Sequence, residues 1–198
     1  MKYLITTLLF CVAANAQVQV IADTMGKGKT AYFIAGNILT AQDLPTVSFA
    51  VAQYWYGATK RIDVFGGATA ATLLGQTQLG LSAGANINLL KSKIVSVSAF
   101  NTLSAALHRR RDSCGAIWFT ALVASKNLRV GKFEFSPYFG YSVAVPLAHT
   151  TDKLFSPPEP VHNVPVGVMI PKGKFAFFAE YDFGRVQTVA GIGIAYTP

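Results

Sequence analysis

"TQLGLSAGANINLL", residues 77–90, alternates apolar and small polar side chains almost without interruption. One face carries Leu79, Leu81, Ala83, Ala85, Ile87 and Leu89, and the other carries Gln78, Gly80, Ser82, Gly84, Asn86 and Asn88. Because successive side chains of a β-strand point to opposite faces, a period of two predicts a strand with one apolar and one polar face. The polar face has no charged residue, so it is a poor surface to turn toward bulk water.

The same alternation recurs along the chain and predicts ten strands. Residues 132–145 and 174–183 repeat it with aromatic side chains on the apolar face. The predicted strands span 30–39, 46–57, 61–72, 76–90, 93–106, 114–125, 130–146, 162–171, 174–183 and 187–197. Several exceed the ~9 to 11 residues with which a tilted strand crosses a bilayer. Eight or twelve strands remain alternatives to ten.

The composition is unusual for a soluble exported domain. Charged residues make up 13% of the chain, against about 25% in an average globular protein. Hydrophobic residues make up 52%. After the N-terminal segment, the longest apolar candidate, residues 115–124, is shorter than the ~18 residues of a transmembrane helix. These features leave two architectures, a membrane β-barrel and an unusually apolar soluble β-sandwich.

Lysine and arginine are sorted between two alternating sets of strand connections. One set holds eleven of the sixteen basic residues that follow Lys2: Lys27, Lys29, Lys60, Arg61, Lys91, Lys93, Lys126, Arg129, Lys132, Lys172 and Lys174. The other set holds Arg109, Arg110, Arg111, Lys153 and Arg185. A charged side chain that faces lipid at mid-depth costs ~2 to 4 kcal/mol, but little near the interface. Immersion in a bilayer therefore explains why no basic residue falls in the middle of a predicted strand.

Aromatic residues lie beside these lysines, which predicts a girdle at the depth of the lipid headgroups. The predicted girdle contains Tyr32, Phe33, Trp55, Phe133, Phe135, Phe175 and Tyr196. A soluble sandwich explains the alternation and the turns, but not the uncharged polar face. It also leaves edge strands, which closure removes. The sequence therefore predicts an all-β, antiparallel, up-and-down transmembrane barrel, with the soluble secreted β-sandwich as the competing fold.

Gly28, Lys29 and Thr30 resemble the end of a phosphate-binding loop, but their context argues against a nucleotide site. The complete motif requires a glycine five residues before Gly28, where this chain has Asp23. The residues that follow favour a strand, whereas a phosphate loop opens a helix. Gly-Lys pairs recur before later strands, at 131–132 and 173–174. We therefore interpret the stretch as the base of a repeated hairpin.

The first sixteen residues have the pattern of a cleaved secretory signal peptide. Lys2 precedes an apolar run, and Ala14 and Ala16 provide a small-residue cleavage site. The predicted organisation is a signal peptide at 1–16, an N-terminal segment at 17–29 and a barrel at 30–198. Cleavage would leave Cys114 as a lone cysteine, so no internal disulfide is expected.

In these features the chain resembles the small outer-membrane β-barrels of double-membraned bacteria, the eight- to ten-stranded porin-like and OmpA-like barrels. The resemblance covers about residues 29–198 and rests on the signal, the hairpin pattern and the final strand "VAGIGIAYTP", residues 189–198. It implies a monomer in the cell outer membrane, inserted by the barrel-insertion machinery. It also implies that both termini, the 17–29 segment and the lysine-rich turns lie in the periplasm, and that 147–161 is an external loop. Such barrels usually end in an aromatic residue, whereas Tyr196 is third from the end here.

By strand parity, a few polar residues are predicted to line the lumen: Asp63, Asn86, Asn88, Lys132, Glu134, Glu180 and Asp182. Isolated buried charges are costly, so these groups must pair or be hydrated. In a barrel this narrow, we expect a lumen largely filled by side chains. The predicted function is a narrow porin-like channel for transport, or a membrane-embedded binding or structural protein, without enzymatic activity.

The opposite rim carries the candidates for lipid contact and for chemistry. Arg109, Arg110 and Arg111 are predicted to contact outer-membrane lipids and lipopolysaccharide, because guanidinium groups pair well with phosphate. His149 and Asp152 leave open a barrel enzyme, a lipid acyltransferase or a protease, with its active site in the external loops. The histidine spacings match no compact ligand motif, so no metal and no cofactor are expected. The basic residues lack the compact stripe with interleaved aromatics that nucleic-acid binding uses, so no nucleic-acid partner is expected.

Overall fold

The structure is a computed structural model that describes residues 23–41, 46–73, 76–107, 114–148, 160–185 and 187–198. The predicted signal peptide at 1–16 lies outside these ranges, and so do Arg109, Arg110 and Arg111, and most of the 147–161 loop.

Eleven strands occur in the described residues. They are β1 (Thr30–Ala41), β2 (Val47–Gly57), β3 (Ile62–Leu73), β4 (Gln76–Lys91), β5 (Ser96–Leu107), β6 (Cys114–Ser125), β7 (Leu128–Val130), β8 (Phe133–Ala148), β9 (Val161–Lys172), β10 (Phe175–Gly184) and β11 (Gln187–Tyr196).

Ten of these strands form one closed antiparallel barrel. Strands that follow one another in the chain pair side by side, β1 pairs with β11, and β6 pairs with β8 to complete the ring. The short β7 pairs with the first residues of β8 and extends that hairpin past the barrel wall. The predicted up-and-down barrel of ten antiparallel strands is therefore confirmed. The single closed sheet excludes the sandwich.

One end of the barrel, the lysine rim, consists of residues 23–29, the turns at 58–61, 92–95, 126–132 and 173–174, and residues 197–198. The eleven basic residues assigned to these connections are all exposed, nine in these segments and Lys91 and Lys172 at the last residues of β4 and β9. Gly131 and Gly173 have φ values of 62° and 64°, a backbone conformation that glycine adopts without steric cost. The Gly-Lys pairs at these two positions are hairpin turns, as the sequence predicts.

The outer face of the barrel is apolar between its two ends. Leu103 on β5 and Ile192 on β11 are 53% and 70% exposed. In the ranges that the structure describes, no charged side chain faces outward from the middle of a barrel strand. A continuous apolar exterior of this extent is suited to hydrocarbon and not to water. No helix among the described residues is long and apolar enough to cross a bilayer.

Two residues of the predicted aromatic girdle lie inside the barrel. Phe33 and Trp55 are 6% and 9% exposed, and their ring contacts are with other buried aromatic residues. Tyr32, Phe133 and Phe175 are exposed on the outside. The correction follows from strand parity, because the face on which a side chain lies depends on its register and not on a nearby lysine.

Candidate functional site

Side chains from the wall occupy much of the described lumen. Asp63 lies near the lysine rim, Phe119 near mid-height and Leu39 toward the opposite end, and they are 1%, 0% and 0% exposed. A water-filled pore would leave inner side chains accessible at each of these heights. The inner side chains are therefore packed against one another at each of these three heights.

A row of aromatic rings occupies one side of this interior. Trp55 and Phe65 stack with centroids 4.4 Å apart, and Phe65 and Phe100 stack at 5.0 Å with an interplanar angle of 2°. Phe100 meets Phe119 edge to face at 5.9 Å. These separations lie near or within the range in which aromatic pairs attract one another beyond simple burial. The row links β2, β3, β5 and β6.

Gly84 on β4 allows this row to cross a strand that contributes no ring. It pairs in register with Phe65 on β3. A Cβ atom at position 84 would meet the Phe65 ring and the backbone oxygen of Asn101. The missing side chain therefore leaves the space that the Phe65 ring fills.

Acidic side chains lie together on the inner face of β10. Tyr138 on β8 donates a 2.7 Å hydrogen bond to Oε2 of Glu180, and the Glu180 carboxyl interacts with that of Asp182. The three residues are 2%, 5% and 0% exposed. The buried residues in the described ranges include no lysine and no arginine. The inner surface of the barrel is therefore acidic.

Gly167 on β9 makes the contact between Tyr138 and Glu180 possible. Both residues pair in register with Gly167, from opposite sides of β9. A Cβ atom at position 167 would meet the ring and hydroxyl of Tyr138. The Tyr138 ring therefore crosses β9 over a glycine to reach the carboxyl on the next strand.

At the lysine rim, the N-terminal segment covers part of the barrel mouth. The Met25 N–H donates a 3.0 Å hydrogen bond to Oδ2 of Asp63, and the Met25 side chain packs against the buried core. Asp23 forms a 2.6 Å ion pair with Lys91. Residues 23–29 are thereby held to the inner wall and to the rim.

The structure places five of the seven predicted lumen-lining residues inside the barrel: Asp63, Asn86, Asn88, Glu180 and Asp182. Asp63 and Asn86 are register partners on β3 and β4, and each is 1% exposed. Glu180 and Asp182 form a second group farther from the lysine rim. The fold therefore brings the inward-facing acidic residues into two separate groups.

Lys132 and Glu134 do not line the enclosed lumen, which corrects the prediction for these two residues. Lys132 lies in an exposed turn, and the Glu134 side chain is 55% exposed with a 3.6 Å ion pair to Arg129. The reason is that β7 and the start of β8 project beyond the wall. The pairing of β8 with β9 begins only at Ser136.

Sequence reasoning missed the aromatic row and the role of Tyr138. The signal was present, because Tyr138 shares strand parity with Ser136 and Ser142, which both face inward. An aromatic residue with the parity of small polar neighbours indicates a ring inside the barrel.

Most residues predicted to act at the opposite rim lie outside the described ranges. They are Arg109, Arg110, Arg111, His149 and Asp152. His162 is described, and its Nδ1 lies 2.7 Å from the Tyr141 hydroxyl on the outer surface. Among the residues that the structure describes, no group of three or more His, Cys, Asp or Glu side chains is arranged to hold a metal ion.

Solved structures with a similar fold include three named barrels or channels. The N-terminal β-barrel domain of OprF from Pseudomonas aeruginosa is 8% identical, covering 88% of this chain and 100% of that one, with a TM-score of 0.41. An outer membrane channel from Pseudomonas putida F1 is 7% identical over 92% and 100% of the two chains, with a TM-score of 0.46. The KdgM porin is 10% identical over 83% and 98%, with a TM-score of 0.43.

The sequence matches no protein-family model and no curated protein. Structural matches with sequence identities of 7–10% and TM-scores of 0.41–0.46 assign no function to the chain. The predicted resemblance to small outer-membrane barrels is confirmed for the fold by the closed ten-stranded topology itself.

Proposed function

We propose that this chain is an outer-membrane β-barrel that serves as a membrane-embedded binding and structural protein with a closed lumen. The observation that carries the proposal is the burial of inner side chains near both ends and at mid-height of the wall, where Asp63, Phe119 and Leu39 are 1%, 0% and 0% exposed. A general diffusion pore requires a continuous aqueous path that these side chains occupy.

The apolar outer face supports the membrane location. Residues such as Leu81, Leu103 and Leu122 are more than half exposed on strands long enough to span a bilayer. In water this surface would be a large aggregation-prone patch, whereas in lipid it needs no partner. The exposed lysines at one end would then lie at the membrane surface, where they can meet anionic headgroups.

Export by the predicted signal peptide, insertion by the barrel-insertion machinery and a monomeric state accompany this proposal. Contact of Arg109, Arg110 and Arg111 with phosphorylated lipid headgroups remains a prediction. Lipopolysaccharide binding that is unchanged after replacement of all three by Gln would remove it. The proposal assigns no enzymatic activity to the chain.

Recordings from planar bilayers test the closed lumen. We expect the refolded wild-type barrel to give no single-channel steps in 1 M KCl, because wall side chains fill the lumen. The double variant Phe65→Ala/Phe100→Ala removes two stacked rings and should give measurable steps. Altered migration of unheated samples on a gel confirms that each protein is folded.

Reproducible steps from the wild-type barrel, at the size given by the double variant, would overturn the closed lumen. Silence from both folded proteins would agree with a closed lumen, but it would contradict the assignment of the aromatic row as the barrier.

A narrow cation channel is the second candidate, favoured by the acidic inner face. The buried charged residues in the described ranges are Asp63, Glu180 and Asp182. If steps occur, a KCl gradient should give a reversal potential that indicates selectivity for K⁺ over Cl⁻. Anion selectivity would exclude this candidate.

A further inference from the structure

A cavity of about 110 Å³ lies inside the barrel at the lysine rim. Its wall includes Met25, Phe33, Trp55, Asp63, Asn86 and Phe178. Engineered protein cavities of about 150 Å³ hold a molecule the size of benzene. The cavity is therefore large enough for a ligand of about four or five non-hydrogen atoms.

Three buried polar atoms of the residues in this wall lack a hydrogen-bond partner among the described residues. They are Oδ1 of Asp63 and both amide atoms of Asn86. Each residue is 1% exposed, and buried polar groups in native proteins are nearly always satisfied. The two side chains are neighbours across β3 and β4. Both residues line the cavity, so a donor bound there would lie beside acceptor oxygens that lack a partner.

The charge of the cavity selects a cation. Asp23 is neutralised by Lys91 at 2.6 Å, whereas Asp63 has no ion pair among the described residues and receives a single backbone hydrogen bond from Met25. An anionic ligand would meet the Asp63 carboxylate directly. A positively charged N–H donor would neutralise the Asp63 carboxylate and also donate a hydrogen bond to its Oδ1.

The rest of the wall selects an organic cation over a metal ion. Trp55, Phe33 and Phe178 line the cavity, and aromatic rings attract ammonium groups and cover alkyl carbon. Calcium and magnesium ions take six or more oxygen ligands, and a wall that offers carbon beside Asp63 and Asn86 leaves most of that shell to water. A primary ammonium has three N–H donors, which match the carboxylate and amide oxygens.

We propose that the mouth of the barrel at the lysine rim binds a small protonated primary amine with a short alkyl chain. Its ammonium group is held by Asp63 and Asn86, and its carbon atoms lie against the aromatic wall. The proposal rests on the membrane-embedded binding role proposed above and names its ligand class. Residues 23–29 form part of the cover over the bound ligand.

Fluorescence of Trp55 tests the site directly. Trp118, the other tryptophan, is 43% exposed on the outer face, so the variant Trp118→Phe leaves Trp55 as the reporter. We expect butylammonium to change this fluorescence saturably in the refolded barrel. Asp63→Asn should weaken binding at least tenfold, and the neutral isostere 1-butanol should bind at least tenfold more weakly than butylammonium.

Two further variants separate binding from folding. Asp182→Asn removes a buried carboxyl elsewhere in the lumen, so it should leave the butylammonium affinity unchanged. Ala176 also lines the cavity, so Ala176→Leu should abolish binding by filling the space without changing the charge. Gel migration of unheated samples verifies that each variant is folded.

The proposal fails if butylammonium gives no saturable response, if 1-butanol binds equally well, or if folded Asp63→Asn or Ala176→Leu retains the wild-type affinity. These outcomes are distinct from failure of the closed lumen, which is decided by conductance. A conducting barrel that binds butylammonium would overturn the proposed closure alone, and a silent barrel without binding would overturn the amine site alone.

Discussion

At the scale of single residues, the Tyr138 hydroxyl satisfies a carboxyl oxygen that water does not reach. The hydrogen bond to Glu180 is 2.7 Å long and fully buried. Tyr138→Phe keeps the ring over Gly167 but removes the donor. We expect a loss of about 1–3 kcal/mol in the free energy of unfolding, because a buried acceptor then loses its partner. Urea unfolding of the reconstituted barrel measures this loss.

Tyr141→Phe is the matched control on the same strand. Its hydroxyl also forms a 2.7 Å hydrogen bond, to His162, but Tyr141 is 52% exposed on the outer face. Removal of this hydroxyl should cost about 1 kcal/mol, the usual net value of one hydrogen bond, because its partner is an imidazole and not a buried carboxyl. Equal losses in the two variants would show that burial of the Tyr138 contact contributes nothing.

At the scale of strands, β4 accommodates the aromatic row because Gly84 has no side chain. Phe65 fills the space left by the missing side chain of Gly84. Gly84→Ala should therefore destabilise the barrel by about 1–3 kcal/mol, the usual cost of an overpacked interior. Near-UV circular dichroism should change as well, because the stacking of Phe65 on Phe100 and Trp55 is disturbed.

Gly36 on β1 provides the control for this prediction. It lies in a strand like Gly84 but faces outward, and an added Cβ would meet nothing within 4 Å. Gly36→Ala should change the free energy of unfolding by no more than about 0.5 kcal/mol, as for an ordinary surface substitution. If Gly36→Ala and Gly84→Ala had equal effects, the close approach of Phe65 would not be the cause.

At the scale of the whole molecule, alternation determines how much of the fold the sequence predicts. The strand count and both faces follow from a period of two, and the predicted strand ends lie within three residues of those observed. The largest errors are the starts of β5 and β8. Before β5, Ser92 holds a tight turn through its Oγ, yet the alternation of β5 already begins at Val95, inside that turn. Periodicity therefore cannot separate turn from strand there.

The contacts inside the lumen were beyond sequence reasoning for a different reason. Parity assigns a residue to a face but does not give its neighbours on other strands. The stacking of Phe65 on Phe100 joins β3 to β5, so it depends on two registers and on Gly84. The cavity beside Asp63 likewise needs residues from both ends of the chain, such as Met25 and Ala195.

The proposed membrane location makes a prediction about depth. Leu103 faces outward near the middle of β5 and is 53% exposed. Leu103→Arg would place a guanidinium in hydrocarbon, so we expect a loss of about 2–4 kcal/mol in the free energy of unfolding in lipid vesicles. Ile94→Arg adds the same charge in a turn at the lysine rim, where Ile94 is 73% exposed, and should cost about 0–1 kcal/mol. The depth dependence separates a bilayer from water, because in water both positions would accept arginine equally well. Equal tolerance of the two variants in vesicles would contradict the membrane-spanning barrel.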